Sequence, residues 1–163
     1  MTNKQREILY LLQKTIRRFN KCENYLIEND LSERCICARF AMYLERVLRR
    51  SQFADYTTDV EYNRGMGGND HGKKIIAGHD ATIDLIVHKR GYNPETGYDN
   101  LFAIEMKKRG LPFDDDKNRL QILVDNAYGF GYRAGFAIII VADEMYNVYE
   151  LRIDEQFFNE DDF

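Results

Sequence analysis

Residues 82–88 and 100–106 are two apolar runs of strand length, and each carries a carboxylate in its midst: Asp84 in the first, Glu105 in the second. Between them, residues 91–98 are rich in turn formers, including Gly91, Asn93, Pro94 and Gly97. This pattern predicts an antiparallel hairpin. It constrains the fold strongly, because a carboxylate inside an apolar hairpin must be compensated or neutralised. Strand alternation sends Asp84, Ile86 and His88 one way and Leu85 and Val87 the other. On the second strand Glu105 and Lys107 share a face with Ala103, opposite Ile104 and Met106. A turn centred between Pro94 and Glu95 sets position 84 opposite 105; one centred between Glu95 and Thr96 sets it opposite 107. Both registers gather Asp84, Glu105 and Lys107 on one face, whereas a one-residue slip between them separates the three. Two readings of the hairpin stay open. In one, a divalent cation compensates the acids and Lys107 orients a water and stabilises developing negative charge. In the other, the groups form a cross-strand ion pair on a solvated face.

The rest of the chain supplies helices for such a sheet. Ile8, Leu12, Thr15, Phe19, Cys22 and Leu26 repeat at helical spacing and predict a helix over 4–28. Ser32 stands at an N-cap position before a second helix over 32–50. A short strand is expected at 59–63 and a flexible glycine-rich loop at 65–72. Leu120, Leu123, Val124 and Ala127 predict a helix over 114–128 with an acidic start. The nearly all-apolar segment 135–141 reads as a strand covered on both faces, and 146–153 as an edge strand. The 163 residues fit one domain, 1–158, with a sheet-and-helix core over 59–153 and an acidic, frayed tail at 159–163. The order predicts a three-layer α/β/α domain around a small mixed sheet.

The second helix provides an argument independent of the hairpin. At ~100° per residue, Ile36, Cys37, Phe40, Leu44 and Val47 fall within about 60° of the direction of Glu33. The helix dipole tolerates an acid in the first turn but does not explain why it should face inward. An active-site role for Glu33 accounts for that direction.

At this point three segments, 32–41, 83–90 and 101–108, resemble the PD-(D/E)XK nuclease superfamily, and most closely its short stand-alone bacterial members. The resemblance extends over 32–141 and includes the order of elements. Ile83 stands where the motif name has proline, and Gln121 and Tyr128 are too far apart for the Gln-x-x-x-Tyr signature of the recombination exonuclease branch. The resemblance implies a restriction-endonuclease-like fold and metal-dependent phosphodiester hydrolysis, usually of DNA. Asp84 and Glu105 would ligate Mg²⁺ or Mn²⁺ with the Met106 backbone carbonyl. Lys107 would position or activate the attacking water, and Glu33 would support the site from its helix. Lys89, Arg90, Lys108 and Arg109, with Lys73 and Lys74, are expected to flank the centre and steer phosphates. Tyr62 and Tyr92 are candidates for base stacking, with a structural role the stronger expectation.

Charge and composition bound the alternatives. The chain carries −4 overall, but residues 143–163 hold eight acids against Arg152 alone, so the remainder is +3. The first fifty residues are more basic still, with eleven Lys/Arg against six acids. A basic body is compatible with nucleic acid without requiring it. No run approaches the ~20 apolar residues of a membrane span, and no secretory-type apolar segment opens the chain. Three cysteines, Cys22, Cys35 and Cys37, do not suggest a disulfide framework, so the expectation is a cytoplasmic protein with reduced thiols. Cys35 and Cys37 with His71 or His79 make poor zinc co-ligands, since helical residues two apart diverge. His88 is expected as an exposed strand-end residue. Recognition of a particular sequence would need dimerisation or a protein partner. The competing functional class is a catalytically silent module of the same fold that binds nucleic acid or protein.

Overall fold

A computed structural model describes residues 1–66, 69–76, 78–91, 93–95 and 97–160. Tyr92, the centre of the 65–72 segment and the end of the acidic tail therefore lie outside the described residues.

Helix α1 (Asn3–Cys22) starts at a capping box: Thr2 Oγ1 accepts from Gln5 N, and Gln5 Oε1 accepts from Thr2 N. Its stripe of Ile8, Leu11, Leu12, Ile16 and Phe19 is buried. The helix expected to continue to residue 28 instead breaks at Glu23, and a single turn, α2 (Asn24–Glu28), follows. Glu23 leaves the helical path, and its carboxylate accepts from Tyr43 Oη and Arg39 Nε, both at 2.7 Å. Cys22 is consequently exposed, and Ile27 enters the core in its place. Helix α3 (Glu33–Leu48) begins where expected, with Ser32 Oγ accepting from Cys35 N.

Strand β1 (Thr57–Tyr62) precedes two small ribbons, β2 (Arg64–Met66) with β3 (Asn69–Lys73) and β4 (Ile75–Ile76) with β5 (His79–Asp80). The expected flexible loop thus becomes a backbone-paired ribbon on its described residues. Then come β6 (Ile83–His88), β7 (Asn100–Lys108), α4 (Asp114–Val124), β8 (Tyr132–Asp143) and β9 (Val148–Phe158). The helix expected to reach 128 stops at Val124, and a 3-10 turn over Asn126–Tyr128 leaves Ala127 exposed.

The main sheet has the order β1-β6-β7-β8-β9. Neighbouring strands are antiparallel except β7 and β8, which are parallel and joined through α4, as a parallel connection requires. On one face Leu85, Val87, Phe102, Ile104, Met106, Phe136 and Ile138 pack with α1 and α3. On the other, Ile86, Ala103 and Ala137 pack with Leu120, Leu123 and Val124 of α4. The result is a mixed sheet between two helical layers. Gly135 lets α4 approach closely, since a Cβ there would lie 3.2 Å from Leu120 Cβ.

Strand β9 runs five residues past its expected end at 153. A register shift opposite Ala137/Ile138 lets the polar segment continue pairing, to Phe158 opposite Ala134. Asn159, expected in the frayed tail, is buried: its N–H donates to Arg133 O, and its carbonyl accepts from Gln5 Nε2. No helix among the described residues is long and apolar enough to cross a membrane.

Candidate active site

The β6–β7 register pairs Leu85 with Ile104 and Ile86 with Ala103, which carries Asp84 opposite Glu105. Both side chains face the α4 layer at the end of the sheet where β7 finishes. Asp84 N donates to Glu105 Oε2 at 3.3 Å, and Met106 N donates to Asp84 Oδ2 at 2.8 Å. Each carboxylate therefore holds the backbone of the strand bearing the other. Cys37 Sγ, from α3, lies 3.4 Å from the Asp84 carbonyl and fixes the start of β6 from the opposite side.

Glu105 is 2% exposed. Burial pushes its carboxyl well above the usual range, and the nearby Asp84 charge pushes the same way, with Arg119 opposing. Asp84 is raised for the same leading reason, burial, partly offset by the Met106 N–H. Two acids this close in a partly dry environment cannot both ionise cheaply without positive charge.

Helix α4 delivers part of that charge. Arg119 Nε donates to Glu105 Oε1 at 3.0 Å, and its other arm pairs with Asp116. Asp116 also holds Lys107, with Nζ 3.0 Å from Oδ2. Lys107 is pulled up by Asp116, and by Glu33 and Asp84 at longer range, against an opposing desolvation that is the largest single contribution. Asp84, Glu105, Asp116, Lys107 and Arg119 thus form one connected cluster of three acids and two bases. Asp116 and Arg119 escape the sequence reading, although a signal was present. Asp116 lies one turn before Leu120, on the stripe that helical periodicity assigns to the core, the reasoning applied above to Glu33.

Glu33 reaches the same end of the sheet by a different route. Its Oε1 accepts from Lys108 N at 2.8 Å, so the first turn of α3 anchors β7 just after Lys107. Its hydrogen bond is to the backbone of the strand, not to Asp84 or Glu105.

The expected flanking cations divide into two groups. Lys108 and Arg109 are at the site end of β7, paired with Asp30 at 2.7 Å and Asp143 at 3.8 Å. Lys89 and Arg90 do not flank the centre. They follow the opposite end of β6, five and six residues from Asp84, a separation of roughly 17–20 Å along a strand. There Lys89 pairs with Asp99 and Arg90 with Asp59. His88, expected to be exposed, is buried against Tyr62, with Nε2 2.8 Å from Asp59 Oδ2. Lys74 is 2% exposed and donates to Tyr132 Oη at 2.8 Å, so it cannot act as a surface cation.

Beside the cluster opens a cavity of about 580 Å³, lined by Arg119, Asp115, Asn118 and Ile122 of α4 and by Ile76, His79, Asp80, Ala81 and Thr82 before β6. Of the cluster, Arg119 lines this cavity, and Asp84, Glu105, Lys107 and Asp116 do not.

Among the described residues, no group of three or more His, Cys, Asp or Glu side chains is arranged to hold a metal ion. What the site offers is a pair of adjacent carboxylates. That donor set suits a hard, largely hydrated cation bound through one or two carboxylates and substrate oxygens, and not a metal caged wholly by protein. No protein-family model matches the sequence, and neither the curated proteins nor the solved structures yield a match.

Proposed function

We propose that this protein is a metal-dependent nuclease of the PD-(D/E)XK, restriction-endonuclease-like type, hydrolysing phosphodiester bonds in DNA. The observation that carries this reading is the meeting of Asp84 and Glu105 on one face at the end of the sheet, with Lys107 on the same face two residues beyond Glu105. The path of the chain supports it as well: helix α3, strand β1, the β6–β7 hairpin, helix α4 and strand β8 follow in the order that the sequence resemblance implies.

Asp84 and Glu105 would hold Mg²⁺ or Mn²⁺, with the Met106 carbonyl as a further ligand. Bound there, the cation would supply charge neutralisation and a more acidic water. The chain's own groups do the rest. Asp116 fixes the Lys107 ammonium close to the two acids, where it orients a water and opposes negative charge developing on the phosphate. Arg119 is tethered to Glu105 and Asp116 at the mouth of the cavity and would meet a non-bridging phosphate oxygen. Glu33 holds the β7 backbone so that Glu105 and Lys107 keep their spacing. Lys108 and Arg109 extend positive charge along the same edge.

The experiment is cleavage of an end-labelled duplex in Mg²⁺ or Mn²⁺. Activity lost in both Lys107→Ala and Glu105→Ala supports the reading, and activity that survives both substitutions contradicts it. One observation favours the second reading, a silent module that binds nucleic acid or a protein partner: the Arg119 guanidinium already pairs with Glu105, the role a metal ion would otherwise fill. Under that reading the wild type cleaves nothing, and the substitutions leave ligand binding unchanged.

A further inference from the structure

On the outer surface of the α1–α3 layer, well away from the acid cluster, Lys14 and Arg18 of α1, Arg46 of α3 and Arg50, two residues past the end of α3, line a groove of about 380 Å³ whose floor is Tyr43 and Val47. All four cations are exposed. None makes a side-chain hydrogen bond or ion pair among the described residues. Three other arginines of this layer are neutralised, Arg34 by Glu61, Arg39 by Glu23 and Arg49 by Glu45. In a chain with 27 acids and 23 bases, four cations left together are a segregated patch.

The arrangement works against the isolated fold. Lys14 and Arg18 are one turn apart on α1, and like charges at that spacing weaken a helix. The end of α3 favours cations through its dipole, which accounts for Arg46 and Arg50. Lys14 and Arg18 sit in the interior of a 20-residue helix and receive no such compensation. An anionic partner supplies it.

We propose that this groove binds the phosphate backbone of a nucleic acid, away from the bond being cut. The choice of polymer rests on the nuclease reading; the groove does not. The α1 wall carries two cations about 6 Å apart along the helix axis, and Arg46 and Arg50 line the other wall, an arrangement suited to repeating phosphates. The floor offers no base-reading group, because the Tyr43 hydroxyl is committed to Glu23. Recognition there is therefore indifferent to sequence and sensitive to salt. Tyr10, 55% exposed and one turn before Lys14, extends the α1 wall with an aromatic face. Arg46 lies thirteen residues along α3 from Glu33, about 20 Å. The acids face the α4 side of the sheet, so a substrate that also occupies the groove must reach well past the scissile phosphate and around the end of the sheet.

The test is fluorescence anisotropy of a labelled 20-base-pair duplex titrated with the full chain in EDTA, so that binding is read without turnover and separately from whether any bond is cut. Arg18→Glu/Arg46→Glu should weaken binding about 10-fold or more at low salt and lower the salt-dependence slope by about 2, as loss of two phosphate contacts requires. The neutral pair Lys14→Gln/Arg50→Gln should weaken it in the same direction. Lys4→Glu/Arg152→Glu, with the same change in net charge outside the groove, should bind within about 2-fold of wild type. Thermal melts by circular dichroism check that each variant folds. Affinity and slope unchanged in both groove variants overturn the proposal. So does a wild type that binds anionic vesicles or an acidic peptide but no nucleic acid. Failure of cleavage with groove-dependent binding intact sinks only the nuclease reading.

Discussion

Arg119 Nε donates to Glu105 Oε1 across 3.0 Å, so the most buried carboxylate of the cluster is held by a guanidinium from the helix that crosses between the two parallel strands. This pair ties the chemistry to the topology. The crossover needed to make β8 parallel to β7 is also the element that brings Asp116 and Arg119 onto the acids of the hairpin.

Removing the cation should expose the cost of the buried acid. Arg119→Met is expected to destabilise the protein by about 3 kcal/mol at pH 8, the usual consequence of stranding a buried charge. At lower pH the loss should shrink, because burial raises the Glu105 carboxyl and it takes up a proton more readily in the folded chain than an ordinary carboxylate does. Urea denaturation at the two pH values measures the difference. Equal losses at both would mean that Arg119 does not compensate Glu105.

The raised Asp84 and Glu105 carboxyls also fix the sign of a pH effect. Between the ordinary carboxylate range and their raised folded values, the folded state holds more protons than the unfolded one. Their contribution to stability is therefore fully present at low pH and is lost as pH rises through the folded values. A divalent cation binds the ionised pair, so its stabilising effect should grow with pH. The melting-temperature increase produced by Mn²⁺ should be larger at pH 8 than at pH 5.5, and should vanish in Asp84→Asn/Glu105→Gln.

Lys74 carries the opposite dependence. Burial lowers its ammonium from 10.5 to about 8. Between those values the unfolded chain binds the extra proton, so the Lys74 contribution makes the protein more stable as pH rises from about 8. Wild type minus Lys74→Met, followed by urea denaturation from pH 7 to 9.5, should show that rise. A flat difference removes the assignment.

Gly135 should not tolerate a side chain. Its Cβ would meet Leu120 Cβ at 3.2 Å and the Leu120 carbonyl at 3.3 Å, and the backbone of α4 cannot move aside like a flexible side chain. Gly135→Ala is expected to cost about 1–3 kcal/mol, as overpacking does. Because Leu120 directly follows Arg119, cleavage should also fall more than the stability loss explains. Chemical denaturation and specific activity, measured together, check both halves.

Much of the site's scaffold was legible because a strand has a period of two. Alternation put Asp84 and Glu105 on one face only in certain registers: the turn closes between Asn93 and Gly97, about Glu95, and a register shift at Val87/His88 restores the pairing that sets 84 opposite 105. Periodicity also directed Glu33 inward, where it meets Lys108 N. What could not be read was distance along elements. Lys89 and Arg90 are near Asp84 in sequence, but an extended strand carries them to the far end of the sheet. Likewise, the break at Glu23 depends on Tyr43 and Arg39 of a different helix, and the extra length of β9 depends on β8 accepting a register shift. Asp116 and Arg119 belong to the acids only because α4 crosses over them.

Calorimetric titration of the full chain with Mn²⁺ addresses the central claim most directly, because it asks whether the paired carboxylates take up a cation at all. The account predicts saturable binding in the wild type that disappears in Asp84→Ala and in Glu105→Ala. No binding by the wild type, or binding that Asp84→Ala leaves intact, would contradict it.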